Sequence, residues 1–389
     1  MILLDKPYVS NLLKETIIKN NFPFSDLSED KSFNFENKSL KTSQAVDFIR
    51  KNKDFSIYTT SENSIGWINK NLDFTDLGKK IDIFKNKVKF RNLIKKNYPG
   101  YFFREIKFNE LFETDITDFE FPLILKPSTG FFSMGVYKVS DKEKWTEVIN
   151  KLKNEIKNLE NIYPPEVMAT DSFIAEKEIS GDEFAVDAYF DSNGKPVILG
   201  IYKHLFSGDD DVSDRVYISS KEIIEENIND FGLFLEKTEN LAQIKNFPVH
   251  AELKKDSKNK ITPVEINPMR FGGWCTTADM TYYSYGFNPY EYYFFKKTPD
   301  WNKILKDKKD KIFSIIVLDN STGVEASKIK SFDYKKLLNK LSSVLEYRKI
   351  DYTKYPVFGF VFAESDRDKM DEIYYLLNSR LNEFIETQS

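Results

Sequence analysis

Glu265 and Asn267 stand two residues apart in "KITPVEINPMRFGG", at the end of a run that alternates like a β-strand. On an extended chain, residues i and i+2 share a face, so a carboxylate and an amide oxygen lie side by side. Two such oxygens suit a hard cation such as Mg²⁺, and the nearby Arg270 suits a phosphate or a carboxylate. A surface turn with a salt bridge is the competing reading of these residues. Upstream, "VHAELKK" puts His250 and Glu252 on one face of another strand, and the polar turn "DSKNK" between the runs predicts antiparallel pairing. That pairing would bring Glu252 close to Glu265. Glu252, Glu265 and Asn267 could then hold one or two Mg²⁺ ions that bridge polyphosphate oxygens. A histidine-based zinc centre is a poor fit, since the sequence has only His204 and His250.

Other segments carry matching chemistry. In "ILKPSTGFFSMGV", Lys126 ends a strand and is followed by a loop with Ser128, Thr129, Gly130, Ser133 and Gly135. Backbone N–H groups of such a loop can cradle phosphates while the lysine supplies a point charge. No helix opens with GK[ST], so this is not a Walker loop. In "EKEISGDE", Glu176 closes one strand and Glu183 opens the next, and a carboxylate so placed can bind adenine's amino group or a ribose hydroxyl. Lys87 and Arg91 lie one helical turn apart in "KVKFRNLIKKNY", and Lys203 is a further candidate on a strand facing the cleft. Each segment also has an ordinary reading: a hairpin with a snorkelling lysine, a charged turn, a solvated basic helix face. His250 has the ordinary reading of a packed histidine in the same way, and Trp274 that of core.

The elements that must position these groups fall into three blocks. Residues 1–84 alternate helix and strand, which favours a small open parallel sheet. Residues 85–304 read as a two-part region: a lobe at about 100–180, with the hairpin "FPLILK"/"GVYKV" and a helix through Trp145, Val148, Ile149 and Leu152, then a strand-rich lobe at about 181–304. Residues 305–389 suggest a separate α+β unit: strand "IFSIIVL", a helix over 334–345, strand "VFGFVFA" and a helix over 367–385. The expected class is thus mixed α/β and α+β.

Composition narrows the function. Of 389 residues 41% are hydrophobic and 15% aromatic, enough for buried cores. A net charge of −4 with interspersed signs supplies no positive field for nucleic acid or an anionic membrane. The single cysteine, Cys275, excludes an intrachain disulfide and a multi-cysteine metal site. No convincing Ser–His–Asp or Cys–His arrangement occurs. "MILLDKPYVSNLLKETI" does not read as a signal peptide, and no window reaches 18 uncharged apolar residues, so a cytoplasmic protein is expected.

The order of "NKVKFR", "FPLILKPSTGFFSMGV", "AEKEISGDE", "VHAELK" and "PVEINPMRFGG" resembles the ATP-grasp superfamily over roughly 85–300, and the preceding segment resembles that superfamily's N-terminal domain. The resemblance implies ATP clamped between two α+β lobes and a carboxylate activated as an acyl phosphate, then attacked by an amine. It implies that Lys87 and Lys126 contact the ATP phosphates, that Glu176 and Glu183 bind adenine and ribose, and that the backbone of Lys177, Glu178 and Ile179 completes the adenine slot. Glu252, Glu265 and Asn267 match the metal-ligand positions, for Mg²⁺ or a substituting Mn²⁺. The pairing of H-x-E with E-x-N-x-R-x-G-G is similar to amino-acid ligases that make dipeptides. In D-alanine–D-alanine ligases the His250 position is usually arginine. Phe131 and Phe132 stand where small residues are commoner, and residues 305–389 match no motif.

The function implied is an ADP-forming carboxylate–amine ligase acting on small molecules, with amino acids as the expected substrates. Arg270, Lys126 and His250 would be its catalytic groups, and Arg270, His250, Gly272, Gly273 and Trp274 its substrate contacts. A homodimer is compatible with this. Rival readings are a ligase for another acid or for a protein tail, and a silent nucleotide-binding module. A biotin-dependent carboxylase half is less favoured, because no biotinyl-lysine segment is present.

Overall fold

The computed structural model describes residues 1–28, 39–129, 136–160, 169–208, 211 and 213–388, with backbone alone at 153–160 and 169–171. The expected phosphate-loop residues Gly130, Ser133 and Gly135 lie outside the described residues, as do Phe131 and Phe132.

The N-terminal block is a parallel sheet in the order β2-β1-β3, from β1 (Ile2–Leu4), β2 (Phe24–Asp26) and β3 (Tyr58–Thr59). A central parallel strand must be apolar on both faces, and Ile2, Leu3 and Leu4 are fully buried. The helix Asn11–Asn20 starts where Ser10 accepts the Leu13 amide, and it stops at Asn21 in the left-handed conformation.

The second block is a four-stranded antiparallel sheet, β4-β7-β5-β6, made of β4 (Phe103–Lys107), β5 (Leu123–Thr129), β6 (Tyr137–Val139) and β7 (Ala169–Lys177). The expected hairpin is present, with Leu123 opposite Val139. The helix Lys142–Glu160 buries Trp145, Val148, Ile149 and Leu152 against this sheet, and Trp145 meets Phe119 edge-on at 5.2 Å.

Eight strands build the large sheet, in the order β12-β11-β8-β9-β10-β13-β16-β15. The first five in sequence are β8 (Asp182–Phe190), β9 (Pro196–Leu205), β10 (Val216–Ser220), β11 (Phe247–Lys255) and β12 (Ile261–Pro268). The remaining strands are β13 (Lys311–Asp319), β14 (Ile329–Phe332), β15 (Val344–Lys349), β16 (Val357–Asp366) and β17 (Ile385–Thr387), of which β14 and β17 pair separately. The helix Lys221–Ala242 packs on one face, where Phe231 meets Phe184 at 5.3 Å.

Residues 305–389 therefore continue the sheet of the preceding block, since β10 pairs with β13, and together with Val216 and Ile218 of β10 they bury a second core around Ile316, Phe358, Leu376 and Phe384. Two expected helices are shorter than their spacing suggests. The first ends at Leu338, because the sheet edge takes Val344–Lys349 as β15 against β16. The second ends at Asn378: Leu381 turns left-handed (φ 62°), and Ile385–Thr387 pairs with β14. Leu381 and Phe384 remain buried, so their periodicity reported burial correctly and conformation incorrectly.

Candidate functional site

Strand register assembles the site on one face of the large sheet. β11 pairs with β12 so that Glu252 stands opposite Glu265 and His250 opposite Asn267. On its other edge β11 pairs with β8, which sets His250 opposite Asp187 and Lys254 opposite Glu183. Alternation keeps all of these on one side, while the intervening Val186 and Leu253 are buried in the main core. A register slip of one residue would put the whole set among those apolar side chains.

The acidic pair is held by an amide and a lysine. Asn267 Nδ2 donates to Glu265 Oε1 at 3.0 Å and to Glu252 Oε1 at 3.3 Å. Lys87, at the start of the helix Lys87–Ile94, pairs with Glu265 Oε2 at 2.9 Å. Burial opposes ionisation of Glu265, but Lys87, with Lys85 and Lys126 further off, outweighs it and holds the carboxyl well below its usual range. Glu252 lacks that help. Burial and the facing Glu265 charge push it well above the carboxylate range.

A second chain of contacts ties the four-stranded lobe to the same spot. Lys126 on β5 pairs with Glu176 Oε1 at 2.7 Å, and Arg91 Nε pairs with Glu176 Oε2 at 2.6 Å. Arg91 also donates to the carbonyls of Pro263 (2.7 Å) and Val264 (3.2 Å), the two residues before Glu265. Lys87, Lys126, Arg91, Glu176, Glu252 and Glu265 thus form one connected cluster with Asn267.

Arg270 joins it from the turn after β12. Its Nε and Nη2 both donate to Glu62 Oε1, at 3.1 and 2.7 Å, and Lys85 pairs with the other oxygen of Glu62. Burial raises and these two cations lower the Glu62 pKa, which settles at about 2. Gly272 is required by close approach: its amide donates to Thr277 Oγ1 at 2.8 Å, and an added Cβ would lie 2.3 Å from that oxygen. Trp274 and Cys275 follow with left-handed angles (φ 57° and 59°), a strained reversal into the helix Thr276–Tyr285. Trp274 is half-buried, with Tyr355 edge-on at 5.0 Å and Phe360 at 5.5 Å.

Glu176 and Lys203 are placed otherwise than expected. Glu176 has both oxygens taken by Lys126 and Arg91 and is 2% exposed, so it faces cations rather than an open adenine slot. Lys203 stands opposite Phe184, on the helix-covered face, and pairs with Asp182 at 2.7 Å; the next residue, His204, is the one on the site face. His204 Nδ1 lies 3.3 Å from Glu183 Oε1, and its ring stacks on Tyr217 at 4.3 Å. Lys254 is 3.4 Å from the other oxygen of Glu183. Ser128 bonds Ser172 (2.8 Å), Thr129 is half-buried on β5, and Glu178 pairs with Lys138 at 2.9 Å. Tyr101 donates to the Lys177 carbonyl at 2.9 Å, the backbone edge expected to line adenine, and Ile179 follows it half-buried. Gly273 is half-buried beside Trp274.

Sequence reading missed Glu62, Lys85 and Asp187. Asp187 did leave a signal, being the one charge inside the otherwise apolar run "FAVDAYF". Glu62 and Lys85 left none, because only the folded chain brings the N-terminal block against Arg270.

The donor set suits a divalent ion. Two carboxylates face one another with the Asn267 side-chain amide between them, its nitrogen toward the acids; a half-turn of that amide would offer its oxygen to a dication, which relieves the repulsion between the acids. Among the described residues no cluster of three histidine, cysteine or acidic side chains converges, so further ligands would have to come from polyphosphate and water. No helix of the described residues is long and apolar enough to cross a membrane.

A family model for the ATP-grasp domain matches residues 119–278. No curated protein matches the sequence. Among solved structures, an L-amino acid ligase from Bacillus licheniformis has a TM-score of 0.68 at 16% identity, covering 100% of this chain and 98% of that one. The N5-carboxyaminoimidazole ribonucleotide synthetase of Thermotoga maritima has a TM-score of 0.65 at 14% identity, covering 100% and 99%. The biotin carboxylase domain of the Hydrogenobacter thermophilus 2-oxoglutarate carboxylase, solved with MgADP, ADP and bicarbonate, has a TM-score of 0.63 at 12% identity, covering 100% and 90%. At these identities the shared property is the fold.

Proposed function

We propose, from the match of residues 119–278 to the ATP-grasp domain model, that the protein is an ATP- and Mg²⁺-dependent ligase joining a small carboxylic acid to an amine, with amino acids as its substrates. The observation that carries this reading is the Glu252–Glu265 pair with Asn267 between its oxygens, set beside Lys87 and linked through Arg91 and Glu176 to Lys126. Nucleotide binding alone does not call for two acids facing each other.

Bound Mg²⁺, held by Glu252, Glu265 and Asn267, would neutralise polyphosphate charge as the γ-phosphoryl group moves to the substrate carboxylate. The chain's own groups do the rest. Lys126 and Lys87 are released from Glu176 and Glu265 onto phosphate oxygens, exchanging one anionic partner for another. Arg270, its guanidinium fixed by Glu62, directs its remaining N–H groups at the substrate carboxylate or the acyl phosphate. Glu183, steadied by His204 and Lys254, takes the ribose, and the backbone of Lys177–Ile179 takes the adenine. The Gly272–Gly273 turn lets a substrate approach the backbone, with Trp274 as a wall.

Amino acids are favoured by the pairing of His250-x-Glu252 with Glu265-x-Asn267-x-Arg270-x-Gly272-Gly273, and by the likeness over the whole chain to the Bacillus licheniformis ligase. ADP release measured with amino acids singly and in pairs, with mass detection of products, tests it. An amine-dependent release with an amide product is expected. Release that responds to bicarbonate instead would assign the protein to carboxylation, and no Mg²⁺-dependent release under any condition would overturn the enzymatic reading.

A further inference from the structure

We infer that Asp187 is a positioning residue that locks the His250 ring and the Gly272 amide into one unit, with His250 Nε2 presented as a hydrogen-bond acceptor for the N–H of the incoming amine. This rests on the ligase reading above and adds the group that orients the nucleophile.

Asp187 lies mid-strand on β8 with no solvent exposure. Its Oδ1 accepts from His250 Nδ1 at 2.7 Å and from the Gly272 amide at 3.1 Å, and its Oδ2 accepts the Thr277 hydroxyl. Three elements thereby converge on one carboxylate: β11 through His250, the turn after β12 through Gly272, and the helix Thr276–Tyr285 through Thr277. An acid sealed from water is costly unless its oxygens are filled, and these contacts fill them. Oδ1 already accepts the Gly272 amide and Oδ2 the Thr277 hydroxyl, so Nδ1 is the ring atom turned to Asp187 as donor, and Nε2 is the one left facing the site. Nε2 is 3.9 Å from Glu252 Oε1, outside hydrogen-bond reach, and so is not committed to that acid. An acceptor in this place, beside the proposed metal ligands and the Gly272–Gly273 turn, selects an N–H donor and turns the nitrogen lone pair toward the acyl carbon.

Two variants separate positioning from packing. Asp187→Ala removes the acceptor, whereas Asp187→Asn keeps an oxygen for Nδ1. With ¹⁵N-labelled histidine the sequence gives two imidazoles to assign, and His250→Gln identifies which signals belong to His250. The wild type should show His250 protonated at Nδ1, as should Asp187→Asn, while Asp187→Ala should lose that preference. In turnover, Asp187→Ala should raise the amine KM about tenfold or more, the scale for a lost hydrogen bond to a charged group, and leave the ATP KM unchanged. Asp187→Asn should restore the amine KM to within a few-fold, and adding Asp187→Ala to His250→Gln should raise the amine KM by less than it does in the wild type, since only the Gly272 and Thr277 contacts remain to be lost. Should Asp187→Ala not fold, Thr277→Val, which loosens the same carboxylate, should raise the amine KM with the ATP KM unmoved. The inference is overturned if the variant that is read keeps a normal amine KM, or shifts the amine and ATP constants together. A wild type that never turns over ATP in response to an amine overturns the ligase reading itself, while the nitrogen shifts still report the Asp187–His250 geometry.

Discussion

Glu252 and Glu265 face each other across β11 and β12, and one amide nitrogen, Asn267 Nδ2, reaches both. Like charges placed directly opposite on a sheet oppose folding, so this pair points to function rather than stability. Glu252→Gln should stabilise the metal-free protein by roughly 0.5–1 kcal/mol, the scale of a cross-strand charge pair, while lowering Mg²⁺-dependent ATP turnover about a hundredfold or more. Thermal melts with a chelator, set beside ADP release, check both halves.

The same change across the strand should have the opposite effect on stability. Glu265 pairs with Lys87, a residue 8% exposed, and Glu265→Gln takes the paired carboxylate away from that buried charge. The metal-free protein should lose about 1–3 kcal/mol, and turnover should fall as far as in Glu252→Gln. Equal stability changes in the two variants would mean that Lys87 does not distinguish the two acids.

Acid should unfold the protein through Glu62 and Glu176. Burial disfavours ionisation of each, but Lys85 and Arg270 around Glu62, and Arg91 and Lys126 around Glu176, bring both pKa values from 4.5 down to about 2. Above pH 4.5 both are ionised in either state and contribute fully. As pH falls from 4.5 toward 2 the unfolded chain binds protons first, so stability declines, by about 3 kcal/mol per group at most. Urea unfolding between pH 6 and 3 should show this slope, and Glu62→Gln should remove its share.

Lys126 shares Glu176 with Arg91, and its role at the nucleotide can be measured in one variant. Lys126→Ala should raise the ATP KM or lower kcat by tenfold or more, as expected for a group on the transferring phosphates. Wild-type nucleotide kinetics in a folded variant would remove Lys126 from the site.

The acids, the lysines and the β11–β12 pairing were legible because each rests on short-range order: alternation, a polar turn, one helical turn between Lys87 and Arg91. What the sequence hid depends on long-range placement. Glu62 meets Arg270 across 208 positions, and no local pattern marks it. Lys203 and His204 are adjacent, so only the register of β9 decides which one faces the site. The edge strand β15 was concealed for a related reason: Leu337, Leu341 and Val344 fit helical spacing, yet β16 offers an open edge that captures Val344–Lys349.

That edge strand carries Arg348 back to the turn beside the site, and the contact is testable. Arg348 Nη2 pairs with Asp279 Oδ2 at 2.6 Å, Nη1 donates to the Trp274 carbonyl at 3.1 Å, and the pair is almost wholly buried. Tyr290 donates to the other oxygen of Asp279 at 2.9 Å. Arg348→Met should destabilise the protein by about 3–5 kcal/mol, because it strands a buried carboxylate. Pairing it with Asp279→Asn should recover most of that loss, since the stranded charge is gone while the amide can still accept from Tyr290. Urea midpoints for the two single variants and the double variant form the cycle, and additive losses would show that the two side chains act independently. Because Arg348 also holds the Trp274 carbonyl, the folded double variant should retain ATP binding yet show a raised KM for the substrate that Trp274 is proposed to wall in.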